Sequence, residues 1–241
     1  MTEFQQIPLW SNFCFFRPMQ ASSKTTLFKF PIQFSLWVVV AIWSVYIFEI
    51  YFDFNFNQYG IYPRTLKGLK GILLAPFIHG DTLHVFNNSI PLIVLLSCLL
   101  YFYKGVWKKV LVCGGLLTGF FTWIFAREAY HIGASGIVYL LFSFIFFSGL
   151  LKKQYQLVAV SLVVIFLYGS MVWYVLPLED GISWEGHLSG FVIGLLFAYF
   201  YRTKGMLYKR VQFQQTEFDL LFDEEGNFNP PKIERIEDED S

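Results

Sequence analysis

Charge is scarce in this chain, and cysteine scarcer. Asp, Glu, Lys and Arg supply 15% of its 241 residues, where a soluble domain carries about 25%. That disfavours a globular protein solvated on all sides. Cys14, Cys98 and Cys113 are too few and too scattered for a disulfide framework or a zinc site. The latter two sit in apolar runs and read as small hydrophobic fillers. No carboxylate or cysteine completes a ligand set around the histidines, so no metal is expected. Neither an organic cofactor nor a nucleic acid is expected as a partner. The chain does not open with a basic region, a short apolar run and a small-residue cleavage site, so no cleaved leader is expected. It has no internal repeat, which weighs against the transporters built from two related halves.

What is present is apolar and aromatic. Hydrophobic residues make up 55%, with 29 Phe, 14 Tyr and 7 Trp, and mean hydropathy is +0.48. Aromatics in such number suit a bilayer and its interfaces. The expected fold class is all-α, a polytopic membrane protein with a bundle of six transmembrane helices. A bilayer core takes about 20 apolar residues as helix, and the spans are expected over 31–50, 83–103, 110–126, 135–150, 155–175 and 187–201. Residues 51–82 are too apolar for a solvated loop and too broken by Gly and Pro for a span. They are expected in the membrane interface or against the bundle.

The charges are segregated. Ten of the 18 acidic residues fall after residue 215, and 202–241 reads as an acidic, largely disordered cytoplasmic tail. Residues 1–30 read as a cytoplasmic N-terminal segment, and 31–201 as the membrane domain. With the N-terminus inside, 12 Lys and Arg flank cytoplasmic span ends, and four (Arg64, Lys67, Lys70 and Arg127) fall outside. The positive-inside rule then puts both termini in the cytoplasm, with the cell (inner) membrane as the expected location.

The polar residues of the spans collect on one side. His79, His84, His131 and His187 all fall at outer span ends or in outer loops, together with Asn87, Asn88 and Ser135. Polar groups at membrane depth are costly and face the bundle interior or a wet cavity. Ser135 stands among Gly133, Ala134 and Gly136, so nothing bulky covers its hydroxyl. Alone, such a serine reads as a helix N-cap. His84 and Asn88 lie one turn apart on one helix face, as do Ser135 and Tyr139. Gly186, Gly190 and Gly194 form a small-xxx-small stripe that lets membrane helices touch backbone to backbone, and His187 lies in that seam. The fourth span is short. Its helix rises about 24 Å against a core of about 30 Å, which sinks Ser135 below the outer surface. Irregular chain at that depth needs protein or water around it.

A serine hydroxyl needs a general base to become a nucleophile, and His187 is the candidate. No Asp or Glu is expected within the apolar core of a span. Glu185 is two residues from His187, on a helix that turns it elsewhere. A Ser–His dyad is therefore expected rather than a triad. An oxyanion needs preorganised donors, which the Ser135 N–H, the Asn88 amide and the His84 imidazole can supply. The G-x-S-x-G elbow of soluble hydrolases does not apply, because Ile137 stands where its second glycine would.

Gly133-Ala-Ser-Gly136, Gly186-His-Leu-Ser-Gly190-Phe-Val-Ile-Gly194 and His84-Val-Phe-Asn-Asn88 together resemble the motifs of rhomboid intramembrane serine proteases, in the family's order and span placement. The resemblance covers about 31–201. It implies cleavage of transmembrane or membrane-tethered proteins near the outer face, with Ser135 as nucleophile, His187 as base and oxyanion contacts from His84, Asn88 and the Ser135 amide. It implies that Tyr139 packs on the histidine and that His79 is structural. It also implies substrate access past a displaced fifth span. The Trp-Arg pair of many members' first outer loop is absent; Tyr62-Pro63-Arg64 stands nearby instead. Two other readings stay open, a catalytically inactive relative that binds membrane clients and a transporter. The first would lack Ser135 or His187. The second would place polar residues along a path through the bilayer.

Overall fold

The computed structural model describes residues 24–167, 174–177, 181–204, 218–223 and 225–229. Its helices are α1 (Lys24–Tyr51), α2 (Gly71–Leu74), α3 (Thr82–Phe102), α4 (Gly115–Phe125), α5 (Ser135–Leu151), α6 (Tyr155–Leu167) and α7 (Trp184–Phe200). A π-helical turn, Lys109–Gly114, runs directly into α4. The protein is all-helical, with no strand among the described residues. The chain divides into two compact units, Met1–Leu207 and Tyr208–Ser241.

α5 is the axis of the first unit. It packs against α3, α4, α6 and above all α7, while α1 lies against α3. Val138 to Ile145 are buried without a break, as in a helix that is apolar all round and enclosed on every face. Leu95 and Leu99 of α3 and Leu157 of α6 complete the core around it. The α5–α7 contact is close because glycines make it so. A Cβ at Gly190 would strike the carbonyl oxygen of Gly136, and one at Gly194 that of Leu140. This is the small-residue seam expected from the stripe.

By length and composition, Lys29–Tyr51 and Thr82–Phe102 suffice to cross a membrane, and Lys109–Phe125, Ser135–Leu151 and Tyr155–Leu167 are shorter apolar helices. The faces of these helices turned away from the core carry large apolar side chains, among them Trp37, Ile47, Phe86, Val112 and Phe166. Such a surface suits lipid rather than water. The chain is a membrane protein.

Several boundaries differ from expectation. α1 begins at Lys24, ahead of Pro31. α6 is described over Tyr155–Leu167, and the expected continuation of this span through 168–173 lies outside the described residues. α7 begins at Trp184, so His187 sits in its first turn instead of opening it. Residues 51–82 are not simple loop. They hold 3-10 turns at Asn57–Tyr59, Lys67–Lys70 and Ala75–Phe77 around α2. Arg64, with φ of 57°, accounts for the anchorage of this stretch: its N–H donates to Trp123 O at 3.0 Å and its Nη1 to Ala126 O at 2.7 Å. It thereby satisfies carbonyls left open at the end of α4. Ile61 forms a two-way backbone bridge with His131, which ties the same stretch to the chain ahead of Ser135. In the second unit, Phe222 and Phe228 bridge around a turn. There the Asp223 carboxylate accepts the N–H groups of Glu225 at 3.0 Å and Asn227 at 2.8 Å. The rest of the expected tail lies largely outside the described residues.

Candidate active site

Ser135 is the first residue of α5. The N-cap is Ala134, which makes no side-chain capping bond, so the reading of Ser135 as a cap is not upheld. Ser135 stands one residue past the cap position, and its Oγ lies 2.8 Å from His187 Nε2. Nδ1 of the same ring lies 2.8 Å from the Tyr174 carbonyl oxygen. A carbonyl only accepts, so Nδ1 carries the proton and the Nε2 lone pair faces the serine. Tyr139 lies flat on the imidazole, with centroids 4.3 Å apart and planes inclined by 19°. Tyr174 is the residue that sequence reasoning missed. It acts through its backbone oxygen, and no side-chain pattern signals that.

The turn before Ser135 is built by Gly133. Its φ is +103°, and a Cβ there would stand 2.6 Å from His84 Nε2. Only glycine takes that conformation readily, and only glycine admits His84 so near. Asn88 Nδ2 is 3.7 Å from the same point. His84 and Asn88 thus converge on the Gly133–Ser135 turn from α3, where Asp81 caps the helix by accepting the His84 N–H at 2.8 Å. His79 holds this arrangement from below: its Nε2 faces Asn88 Nδ2 at 3.2 Å and the Ala134 N–H at 3.4 Å. Burial, and next the neighbouring His84, pull the His79 pKa down to about 4, against the Phe77 carbonyl and Asp81. His79 is therefore a neutral acceptor.

Gly136 is needed for closeness rather than dihedral freedom. A Cβ on it would meet the Thr118 methyl at 3.3 Å and the Gly186 carbonyl at 3.4 Å. His131 is placed apart from the dyad: it faces Ser183 Oγ at 2.7 Å and the Arg127 carbonyl at 3.0 Å. Its pKa is lowered, chiefly by burial.

Carboxylates are not absent from the interior. Glu49 accepts the Phe56 N–H at 2.7 Å and is 9% exposed, while Glu185 is 1% exposed. The earlier start of α7 brings Glu185 inside, where it pairs with Arg127 at 3.4 Å. Glu185 makes no hydrogen bond to His187, as the helical spacing requires. Among the described residues, no group of three or more His, Cys, Asp or Glu is placed to hold a metal ion.

A cavity of about 1210 Å³ opens onto the dyad, lined by Ser135, His187, His84, Asn88, Tyr139 and Tyr174 among others. Behind Ser135 a chamber of about 40 Å³ lies between Thr118, Thr122, His131, Ser183 and Gly136. That is room for water, which needs about 10–15 Å³ by the same measure. Thr118 Oγ1 has no protein partner there.

The rhomboid domain family model matches residues 67–204. An uncharacterized protein of Mycobacterium tuberculosis is 34% identical over 151 residues, covering 58% of this chain and 62% of the relative. A second, from Mycobacterium leprae, is 31% identical over 150 residues, covering 56% of this chain and 58% of the relative. The match thus spans less than two thirds of those relatives' own length.

Proposed function

The chain belongs to the rhomboid family, and on that premise we propose that it is an intramembrane serine endopeptidase. Its substrates would be transmembrane or membrane-tethered proteins, cleaved near the outer face of the cell membrane. The observation that carries this reading is the 2.8 Å contact between Ser135 Oγ and His187 Nε2, with the other ring nitrogen already held by a carbonyl.

The steps follow from that geometry. Ser135 Oγ attacks the scissile carbonyl carbon as His187 Nε2 takes its proton. The imidazolium so formed donates through Nδ1 to the Tyr174 carbonyl and lies against the π-face of Tyr139, both favourable to a cation. The Tyr174 oxygen and the Tyr139 ring take the orienting place of an acid. The oxyanion lies among the Ser135 N–H, His84 and Asn88, and the amide is a free donor because it begins α5. His187 then protonates the leaving amine. Water, for which the chamber behind Ser135 has room, hydrolyses the acyl-enzyme with His187 again as base.

The bundle is read as six spans: α1, α3, the 109–125 rod, α5, α6 and α7. Both termini lie in the cytoplasm, as the distribution of Lys and Arg favours. A fluorophosphonate probe tests the chemistry. It should label Ser135 in the wild type, and lose at least about 100-fold in rate in His187→Ala, since a positioned base contributes that much. Labelling that survives His187→Ala undiminished contradicts the dyad.

A further inference from the structure

The dyad does not use a second polar assembly that lies beside it. Glu185 Oε1 accepts the backbone N–H of Arg127 at 3.2 Å and forms an ion pair with Arg127 Nη1 at 3.4 Å. Glu185 Oε2 is buried without a partner. Arg127 Nη2 donates to the Ile182 carbonyl at 2.6 Å. The Arg127 carbonyl accepts from His131 Nε2 at 3.0 Å. That bond fixes the tautomer, so Nδ1 accepts the Ser183 hydroxyl proton at 2.7 Å. The Ser183 carbonyl in turn accepts the N–H of His187 at 3.2 Å. The contacts thus run between two backbone segments. One is the loop 126–134, which delivers Ser135; the other is 182–187, which delivers His187.

A carboxylate 1% exposed is an uneconomical way to hold two segments together if adhesion is all that is needed. Apolar side chains of similar volume often do as well or better. What ion pairs and hydrogen bonds add is direction. The loop on one side is irregular and contains Gly133. A displacement of about 1 Å between reacting groups costs on the order of 100-fold in rate. We propose that the Arg127–Glu185 pair, together with the His131–Ser183 hydrogen bond, is a clamp that sets the distance between Ser135 and His187, with Glu185 as its fixed point. Glu185 and Arg127 are positioning residues: they act through the backbone on either side of the dyad. The catalytic consequence rests on the dyad reading above, whereas the fastening of the loop does not.

The test uses the full chain in liposomes with a transmembrane substrate, and Ser135→Ala as control. Glu185→Gln keeps the shape and one acceptor oxygen but removes the charge. Arg127→Gln removes the other charge, and the double variant leaves a neutral pair that can still hydrogen-bond. Each single variant should lower kcat by about tenfold or more with KM within about twofold. The double variant should lose less than the product of the two losses. Hydrogen exchange over 127–135 should accelerate in Glu185→Gln and slow again in the double variant. Ser183→Ala, which cuts the His131 link without touching charge, should show the same pattern more weakly and stands in if Glu185→Gln does not fold. Unchanged kcat and unchanged local exchange would overturn the clamp. So would exchange that accelerates evenly over the whole molecule, because that reports general destabilisation. If the wild type shows no Ser135-dependent turnover, it is the dyad reading that fails, and local exchange alone then decides the clamp.

Discussion

Nδ1 of His187 is taken up by the Tyr174 carbonyl at 2.8 Å, Nε2 faces Ser135, and one face of the ring is covered by Tyr139 at 4.3 Å. If Tyr139 acts through its ring, then Tyr139→Phe should keep turnover within about twofold. Tyr139→Ala should lose about tenfold, since an aromatic contact of this kind contributes about 1 kcal/mol or more. Equal losses in both would assign the effect to the hydroxyl instead. Gly133→Ala is a sharper case. It forces alanine to φ of +103° and its methyl to within 2.6 Å of His84 Nε2. Activity should fall below detection, with at least about 1–3 kcal/mol of stability lost to backbone strain alone; a variant that cleaves normally contradicts the role given to this turn. At this scale the side chains that come together around Ser135 were legible in the sequence. Ser135, His187, His84, Asn88 and Tyr139 carry residue types and spacings that suit only a few purposes. The Tyr174 contact was illegible because it is made by main chain. The burial of Glu185 was illegible because its partner, Arg127, arrives from another loop.

Between α5 and α7 the glycine stripe sets the helix separation, and with it the reach from His187 to Ser135. Gly190→Ala places a methyl against the Gly136 carbonyl, so the helices must part. Overpacking of this kind costs about 1–3 kcal/mol, and the midpoint of thermal unfolding in detergent should fall accordingly, with activity lost before structure. An unchanged midpoint would mean that the seam is looser than its geometry implies. The large cavity is bordered by Leu83 and Phe86 of α3 and by Leu167 of α6, which makes the gap between these helices the proposed route for substrate. A cross-link between α3 and α6 should block cleavage of a transmembrane substrate yet leave fluorophosphonate labelling of Ser135 intact. Unimpaired cleavage would sink the route. Whereas α1 extends well ahead of its expected start, apolar run length located α3, the 109–125 rod and α5 to within a few residues. It could not locate the start of α7, because Trp184 to Gly186 belong to the helix by packing rather than by hydropathy. Nor could it show that 51–82 is pinned down, since Arg64 does this through carbonyls of α4.

For the molecule as a whole, the buried histidines make acid a destabilising condition. His79 has a pKa lowered from 6.5 to about 4 in the folded protein. Above 6.5 it is neutral in both states and contributes no pH dependence. As pH falls from 6.5 toward 4 the unfolded chain takes up a proton that the folded one refuses. Stability should therefore decline by up to about 3 kcal/mol, and below the folded pKa this contribution is fully lost and flat. Unfolding in detergent across that range should show the decline, and His79→Gln, which keeps an acceptor for Asn88, should reduce it. The same slope in the variant would assign the effect elsewhere. The central claim concerns the reaction, and cleavage by the purified full chain in proteoliposomes holding a single-span model substrate tests it most directly. The wild type should release two fragments cut near the outer face, and Ser135→Ala none. Cleavage that persists in Ser135→Ala would contradict the account.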